Sequence, residues 1–387
     1  MQTIPLLLLF LGHLWVDASQ AILPVALVKL KELFSLSYFQ VGLLMAVLNL
    51  TSSVIQPLFG YISDRFSTGW FVPVGLLWTA FAMGLLGWSI NYPVAIFLVG
   101  LAGLGTAAFH PRAMMAVYFV SGDRRGFGAA IFSTAGNLGF ALGPVVGSFL
   151  IIGFGLHATP GLLVPGVLLC LIIFFYRGDF LRRDAVREKS SKEIHAPLEK
   201  FPWVSLIAVC LIVTLRSWVY ISFLTYLPMF FQTKGIELKT GSLMLTVFLV
   251  GGAVAGLYGG HLSDKFGRRR VIVVSMLIYP VLASLMILSE GGWTWLLAGA
   301  SGAALLASFA VTIVLAQELM PQYVGLASGL ILGLGFGTGG LGSAFSGFLA
   351  DRLGLNSVLW ILALAPVFGA VLAAFIRTGS RENRHGF

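Results

Sequence analysis

The chain has 387 residues, of which 58% are hydrophobic and only 10% charged, with a formal net charge of +9. A soluble globular domain carries about 25% charged residues, so a water-soluble fold, which could not hide this much apolar surface, is excluded. The basic excess lies between apolar runs rather than in a patch for nucleic acid, and reads as topology signals facing an anionic leaflet.

A membrane-spanning helix needs about 20 apolar residues, because the hydrocarbon layer is about 30 Å thick. Runs of that length follow one another here at residues 4–28, 39–63, 70–90, 93–118, 127–152, 156–176, 203–231, 241–263, 271–289, 293–317, 324–350 and 356–376. They are too long for barrel strands, so backbone groups must be satisfied within helices. The predicted fold is an all-α membrane protein with twelve transmembrane helices in two six-helix pseudo-symmetric bundles. One long charged interruption divides the chain into a bundle at 1–176, a cytoplasmic linker at 177–202 and a second bundle at 203–387. The first run lacks a basic leader and continues through Asp17, too long for a signal peptide, so it is expected to stay in the mature protein.

Ionisable groups in the hydrocarbon zone are costly, and each is a functional hypothesis by default. In helix 1, His13 and Asp17 lie four residues apart on one face that Gln20 continues. Asp17 is the better candidate proton carrier, with His13 and His110 as partners; the alternatives are a brace of helix 1 against helix 4 or 7, or a His/Asp/His metal site. Helix 2 closes on Gly60-Tyr-Ile-Ser-Asp64-Arg65-Phe66. In helix 4, His110 and Arg112 lie about 200° apart, so both cannot face one cavity unless Pro111, expected to break the ladder, turns them together.

Helix 5 carries Gly136, Gly139, Gly143 and Gly147, with Asn137 and Pro144 among them. Small residues at this spacing let helix backbones approach closely. Similar ladders occur at Gly252, Gly256 and Gly260 in helix 8 and at Gly329, Gly333 and Gly337 in helix 11. Cys170 and Cys210 sit inside apolar runs and read as packing residues. In helix 7, Arg216 shares a face with Tyr220, a cation and a hydroxyl suited to one solute; a planar guanidinium fits carboxylate or phosphonate. With Arg112, that favours an anionic or zwitterionic solute, with Asn137 and Gln20 as further contacts, unless Arg216 is an ion partner of Asp17.

Helix 8 closes on Gly260-His-Leu-Ser-Asp264-Lys265-Phe266-Gly-Arg268-Arg, 200 residues after the loop at Gly60. With the N-terminus inside, inner segments hold Arg65, Arg124, Arg125, the linker's basic residues, Lys265, Arg268 to Arg270, and Arg377, Arg381 and Arg384. Outer segments hold only Lys29, Lys31, Lys234, Lys239 and Arg352. This asymmetry places both termini on the cytoplasmic side of the membrane. The repeat predicts a pseudo-twofold relation between the halves, with the solute path between them.

The loop at Gly260 to Arg269 resembles the signature loop of the major facilitator superfamily, and the copy at Gly60 resembles it without the trailing arginines. The closest likeness within it is to bacterial fosmidomycin-resistance efflux transporters. It rests on Gly12-His13 and Asp17, Gln56-Pro57, Phe109-His110-Pro111, and Ala316-Gln317-Glu318-Leu319 followed by Pro321. Where that pattern often has a carboxylate after His-Pro, this chain has Arg112. The resemblance implies drug efflux by proton exchange, with helices 1, 4, 7 and 10 lining the cavity. It also makes Gly136 to Gly147 an antiporter motif that lets the halves rock. The loops would clamp one half to the other, so Gly60, Asp64, Arg65, Gly260, Asp264, Lys265, Arg268, Gln317 and Glu318 are gating candidates; simple loop anchoring is the alternative.

Uptake of an organic anion by symport or facilitated entry suits the same fold, and a receptor or enzyme without transport is a third reading. No nucleotide loop, HExxH or GxSxG triad is apparent, so neither ATP drive nor hydrolysis is expected. The expected partners are a small-molecule solute, protons and the lipid bilayer, in a monomer without cofactor.

Overall fold

The computed structural model describes residues 1–66, 68–122, 124–176, 202–320 and 324–376. The linker expected at 177–202, except Pro202, lies outside the described residues, as do Arg377, Arg381 and Arg384. Twelve helices among the described residues are long and apolar enough to cross a membrane: α1 Thr3–Phe34, α2 Tyr38–Ser63, α3 Phe71–Trp88, α4 Tyr92–Val120, α5 Phe127–Ile152, α6 Leu156–Phe175, α7 Trp203–Thr233, α8 Leu238–Phe266, α9 Arg268–Leu288, α10 Trp293–Leu319, α11 Leu330–Leu353 and α12 Leu355–Ala373. Each overlaps one expected run. Large apolar side chains such as Phe97, Phe154, Phe175 and Phe368 stand exposed around the bundle, where hydrocarbon would cover them.

Local chemistry sets the ends and bends. Ser37 and Gln40 form a reciprocal capping box at the start of α2, and the Asn91 side chain accepts from Val94 N at 3.0 Å to start α4. Gly267, with φ of 92°, turns the chain between α8 and α9, a conformation a side chain would strain. α1 is interrupted at Ile22, two residues before Pro24, and α2 at Val54 and Ile55, just before Pro57. The break expected at Pro111 does not occur: α4 runs unbroken from Tyr92 to Val120. A proline removes one ladder hydrogen bond, and in a packed membrane bundle neighbouring groups absorb that loss.

The helix pairs repeat between halves. Within the first half α1 packs on α5, α2 on α4, α3 on α4 and α3 on α6; within the second, α7 packs on α11, α8 on α10, α9 on α10 and α9 on α12. Across the halves, α2 meets α11 as α8 meets α5, and α1 meets α7. Adding six to every helix number regenerates the list, which is the pseudo-twofold arrangement of two six-helix bundles.

The glycine ladders differ in what they touch. In α5 the expected register holds. A Cβ at Gly139 would lie 2.4 Å from the Leu14 carbonyl, one at Gly143 2.3 Å from Ala21 Cβ, and one at Gly147 2.9 Å from Ile22. All three neighbours are on α1, inside the same half. In α8 the tight positions are Gly251, Gly252 and Gly259 against α10, whereas Gly256 has ordinary clearance and Gly260 meets nothing. In α11 they are Gly339, Gly340, Gly342 and Gly347 rather than Gly333 or Gly337, while the Gly329 side lies outside the described residues. Of these two ladders the four-residue spacing picks out only Gly252 as a tight position among the described residues, because neighbours reach each helix on more than one face. Gly259→Ala should therefore lower the thermal unfolding midpoint, since the added carbon would sit 1.9 Å from the Ala307 carbonyl and overpacking costs about 1–3 kcal/mol. Gly260→Ala, one residue away, should leave the midpoint unchanged in the same detergent melt.

The halves are sealed at the end opposite the N-terminus. Asp351, at the end of α11, accepts hydrogen bonds from Tyr38 N at 2.7 Å and Phe39 N at 2.9 Å, capping α2 from the other half. The Tyr226 hydroxyl lies 2.9 Å from the carbonyls of both Tyr38 and Ser343, and Gln232 donates to Glu32 at 3.1 Å. Losing a helix cap costs roughly 0.5–2 kcal/mol, so Asp351→Ala should raise the population opened at this end about fivefold. Distances between spin labels at Leu33 and Lys239 would report it; an unchanged distribution would show that the cap does not hold the seal.

Candidate functional site

Midway through the first half three ionisable side chains converge. His13 Nε2 lies 3.1 Å from Asp17 Oδ2 on the next turn of α1. From α4, His110 Nε2 comes within 3.3 Å of Asp17 Oδ1 and 3.1 Å of His13 Nε2. Each ring is anchored on its far side: His13 Nδ1–H donates to the Phe132 carbonyl at 2.7 Å, and His110 Nδ1–H to the Thr106 carbonyl at 3.1 Å. A carbonyl only accepts, so these bonds assign hydrogen to both Nδ1 atoms. A neutral ring then turns a bare Nε2 lone pair inward. Two such lone pairs and a carboxylate at these separations repel one another unless a positive charge sits among them.

Packing holds the cluster in place. His13 stacks on Phe132 with ring centroids 3.9 Å apart and lies 6.2 Å from Phe109. Asp17 is only 4% exposed. A Cβ at Gly136 would fall 2.7 Å from both Asp17 Oδ2 and His13 Nε2, so glycine is what leaves room for the cluster. Gln20 is buried farther along α1, while Asn137 is exposed and does not join the cluster.

The second half carries a counterpart of opposite sign. Arg216 on α7 donates from Nη1 to Thr312 Oγ1 at 3.0 Å and lies over the Phe309 ring, 4.9 Å from its centroid. Phe309 and Thr312 on α10 stand 200 residues after Phe109 and Arg112 on α4, the same offset as the paired glycine loops. Arg216 is 1% exposed, and its Nη2 has no hydrogen-bond partner among the described residues. The described ion pairs do not include one between Arg216 and Asp17. Tyr220 shares the Arg216 face and is half-buried, and Arg112 is fully buried.

At the end carrying the glycine loops, the described polar contacts stay within one half. Arg268 pairs with Asp264 and, at 3.2 Å, with Glu318, tying α8, α9 and α10 together. A Cβ at Gly60 would meet Pro111 of α4 at 3.7 Å. Arg65 covers the Tyr61 ring and Lys265 approaches Phe266. Gln317 is half-buried one residue before Glu318; the Asp64 side chain lies outside the described residues. Among the described residues, the Asp264 carboxylate is engaged by Arg268 of its own half.

Sequence reading missed the anchors Phe132 and Thr106, which act through backbone carbonyls, and the cap Asp351. Phe309 and Thr312 carried a signal, since the 200-residue offset maps them from Phe109 and Arg112.

Residues 9–245 and 235–387 match the Major Facilitator Superfamily. The chain is 30% identical to the fosmidomycin resistance protein of Escherichia coli (strain K12), over 97% of this chain and 92% of that protein. It is also 30% identical to the uncharacterized MFS-type transporter YfnC of Bacillus subtilis (strain 168), over 98% of this chain and 94% of that one. Among solved structures its fold is similar to that of a bacterial homologue of the human lysosomal transporter Spinster, with a TM-score of 0.77, 16% identity and 96% of each chain covered. The chain belongs to the Major Facilitator Superfamily and is a multi-pass membrane transporter.

Proposed function

We propose that this protein is a proton-coupled antiporter of the bacterial inner membrane that exports a small anionic or zwitterionic organic compound by alternating access. Both termini lie in the cytoplasm, and the moving units are residues 1–176 and 203–387. The observation that carries the reading is Asp17, buried between two imidazoles whose outer nitrogens already serve backbone carbonyls. Such a cluster has a place for a proton, and its charge changes when the proton leaves. A group of that kind at membrane depth suits a coupling site. The similarity to a fosmidomycin resistance protein supports export. The spare Nη2 donor of Arg216 supports an anionic group on the solute.

In this scheme the halves rock about the central cavity, and the seal at Asp351 is one of the contacts that must part. Vesicles containing only this protein test the reading. An imposed proton gradient should drive accumulation of the solute on the side from which protons leave, and collapsing the gradient should end it. Accumulation on the side that protons enter would replace export by uptake. Indifference to the gradient would remove the coupling.

A further inference from the structure

We propose that the His13, Asp17 and His110 cluster is a site for a first-row divalent metal ion, Zn2+ above all, bound by two imidazole nitrogens and one carboxylate oxygen with a fourth position open. The proposal concerns the same side chains as the transport reading but stands on separate observations.

The first observation is the size of the triangle. A tetrahedral zinc ion with bonds of about 2.0 Å places neighbouring ligand atoms about 3.3 Å apart. The two imidazole nitrogens, His13 Nε2 and His110 Nε2, are 3.1 Å apart; the Asp17 carboxylate turns Oδ2 to the first at 3.1 Å and Oδ1 to the second at 3.3 Å, and one ligand atom from each of the three residues lies within 4.8 Å of the others. The two imidazoles therefore stand at the spacing an ion needs, and a turn of the Asp17 carboxylate about its own axis brings one oxygen to the ion as the third ligand.

The second observation is the outer shell. A histidine that binds metal through one nitrogen almost always donates its other N–H to a carbonyl or carboxylate, which fixes both tautomer and ring direction. Both rings do so here, through Phe132 and Thr106. Both Nε2 atoms thus face the centre as free ligands in neutral rings. The third observation is access: the His110 side chain keeps 20% of its surface exposed while Asp17 keeps 5%, so an ion can approach from the His110 side and the fourth ligand position is available to water. Two imidazoles and one carboxylate with an open position is a donor set found at zinc sites, and it is too nitrogen-rich for Mg2+ or Ca2+.

The test uses the full-length protein in detergent, freed of any polyhistidine tag and metal-stripped, titrated with Zn2+ alone by calorimetry. One ion should bind per chain. His110→Gln and Asp17→Asn should each weaken it by more than about 100-fold, beyond the 10- to 100-fold that loss of an outer-shell partner costs. X-ray absorption on the wild-type complex should show two imidazoles and one or two oxygens around zinc. No saturable binding, or binding unchanged in either correctly folded variant, overturns the site. If a variant fails to fold, the absorption spectrum decides, and a zinc shell without two imidazoles overturns the proposal. Gradient-driven transport in zinc-free vesicles is scored separately, so either reading can fail while the other stands.

Discussion

Asp17→Asn should abolish solute accumulation driven by a proton gradient, reducing it to the level of empty vesicles, while exchange of labelled for unlabelled solute continues. Asparagine keeps the size and shape of the side chain, so the space between α1, α4 and Gly136 stays filled and the helix packing should survive. What disappears is the negative charge and its titration. The two imidazoles, 3.1 Å apart at their Nε2 atoms, then lose the carboxylate that makes a shared positive charge tolerable. Exchange needs no net proton movement and tests whether the halves still rock. Uphill transport retained with unchanged pH dependence would exclude Asp17 as the carrier. His13→Asn and His110→Gln should weaken rather than abolish coupling, because the carboxylate remains. Equal and complete loss in all three would point to a cluster that matters only as a brace between α1 and α4.

Arg216→Ala should weaken solute binding by roughly 30-fold or more, the equivalent of about 2 kcal/mol, as expected when one partner of a buried charged hydrogen bond is removed. Arg216→Lys should also weaken binding. The ammonium can replace the single bond to Thr312, but not the planar fork whose Nη2 is left spare for a ligand. The competing role, an internal partner for Asp17, forecasts differently. If the two residues neutralise each other in another state of the cycle, removing both should restore much of what either single change loses. In the present state they are not paired, and Thr312 and Phe309 hold the guanidinium instead. Solute titrations on Asp17→Asn, Arg216→Ala and the double variant decide the matter, and recovery in the double would retire the anion site.

The sequence made the scaffold plain because a bilayer leaves few choices: long apolar runs, short breaks and a repeated loop define twelve helices and their pairing. His13, Asp17 and His110 were also visible as charges in costly places. Their convergence was not, because it depends on the rotation of α4 about its axis, and Pro111 gave the wrong hint by suggesting a break. Spacing alone foretold that Gly136 to Gly147 would permit a close approach, yet could not say that the neighbour is α1 or that Gly136 clears space for the cluster. In α8 and α11 the four-residue rule picked Gly260 and Gly333, which touch nothing, since each helix carries more glycines than one face can use. Asp351 drew no reading from the sequence. Its role comes from a partner 313 residues away that offers only backbone N–H groups.

The seal where α2 and α11 cross has an electrical consequence. A Cβ at Gly42 would lie 2.4 Å from the Tyr226 hydroxyl oxygen, 2.5 Å from the Ser343 carbonyl and 2.8 Å from Ala344 Cα, and one at Gly347 would lie 2.2 Å from the Tyr38 carbonyl. Backbone against backbone at that range leaves no width for a file of water molecules. The crossing therefore insulates locally: no wet thread passes between these two helices, and ions find no path along this line to short-circuit the membrane potential. A bulky residue at position 42 would wedge the crossing apart and admit that thread. Such a variant would show itself first as a conductance in planar bilayers, before any fault in the carrier's selectivity appeared.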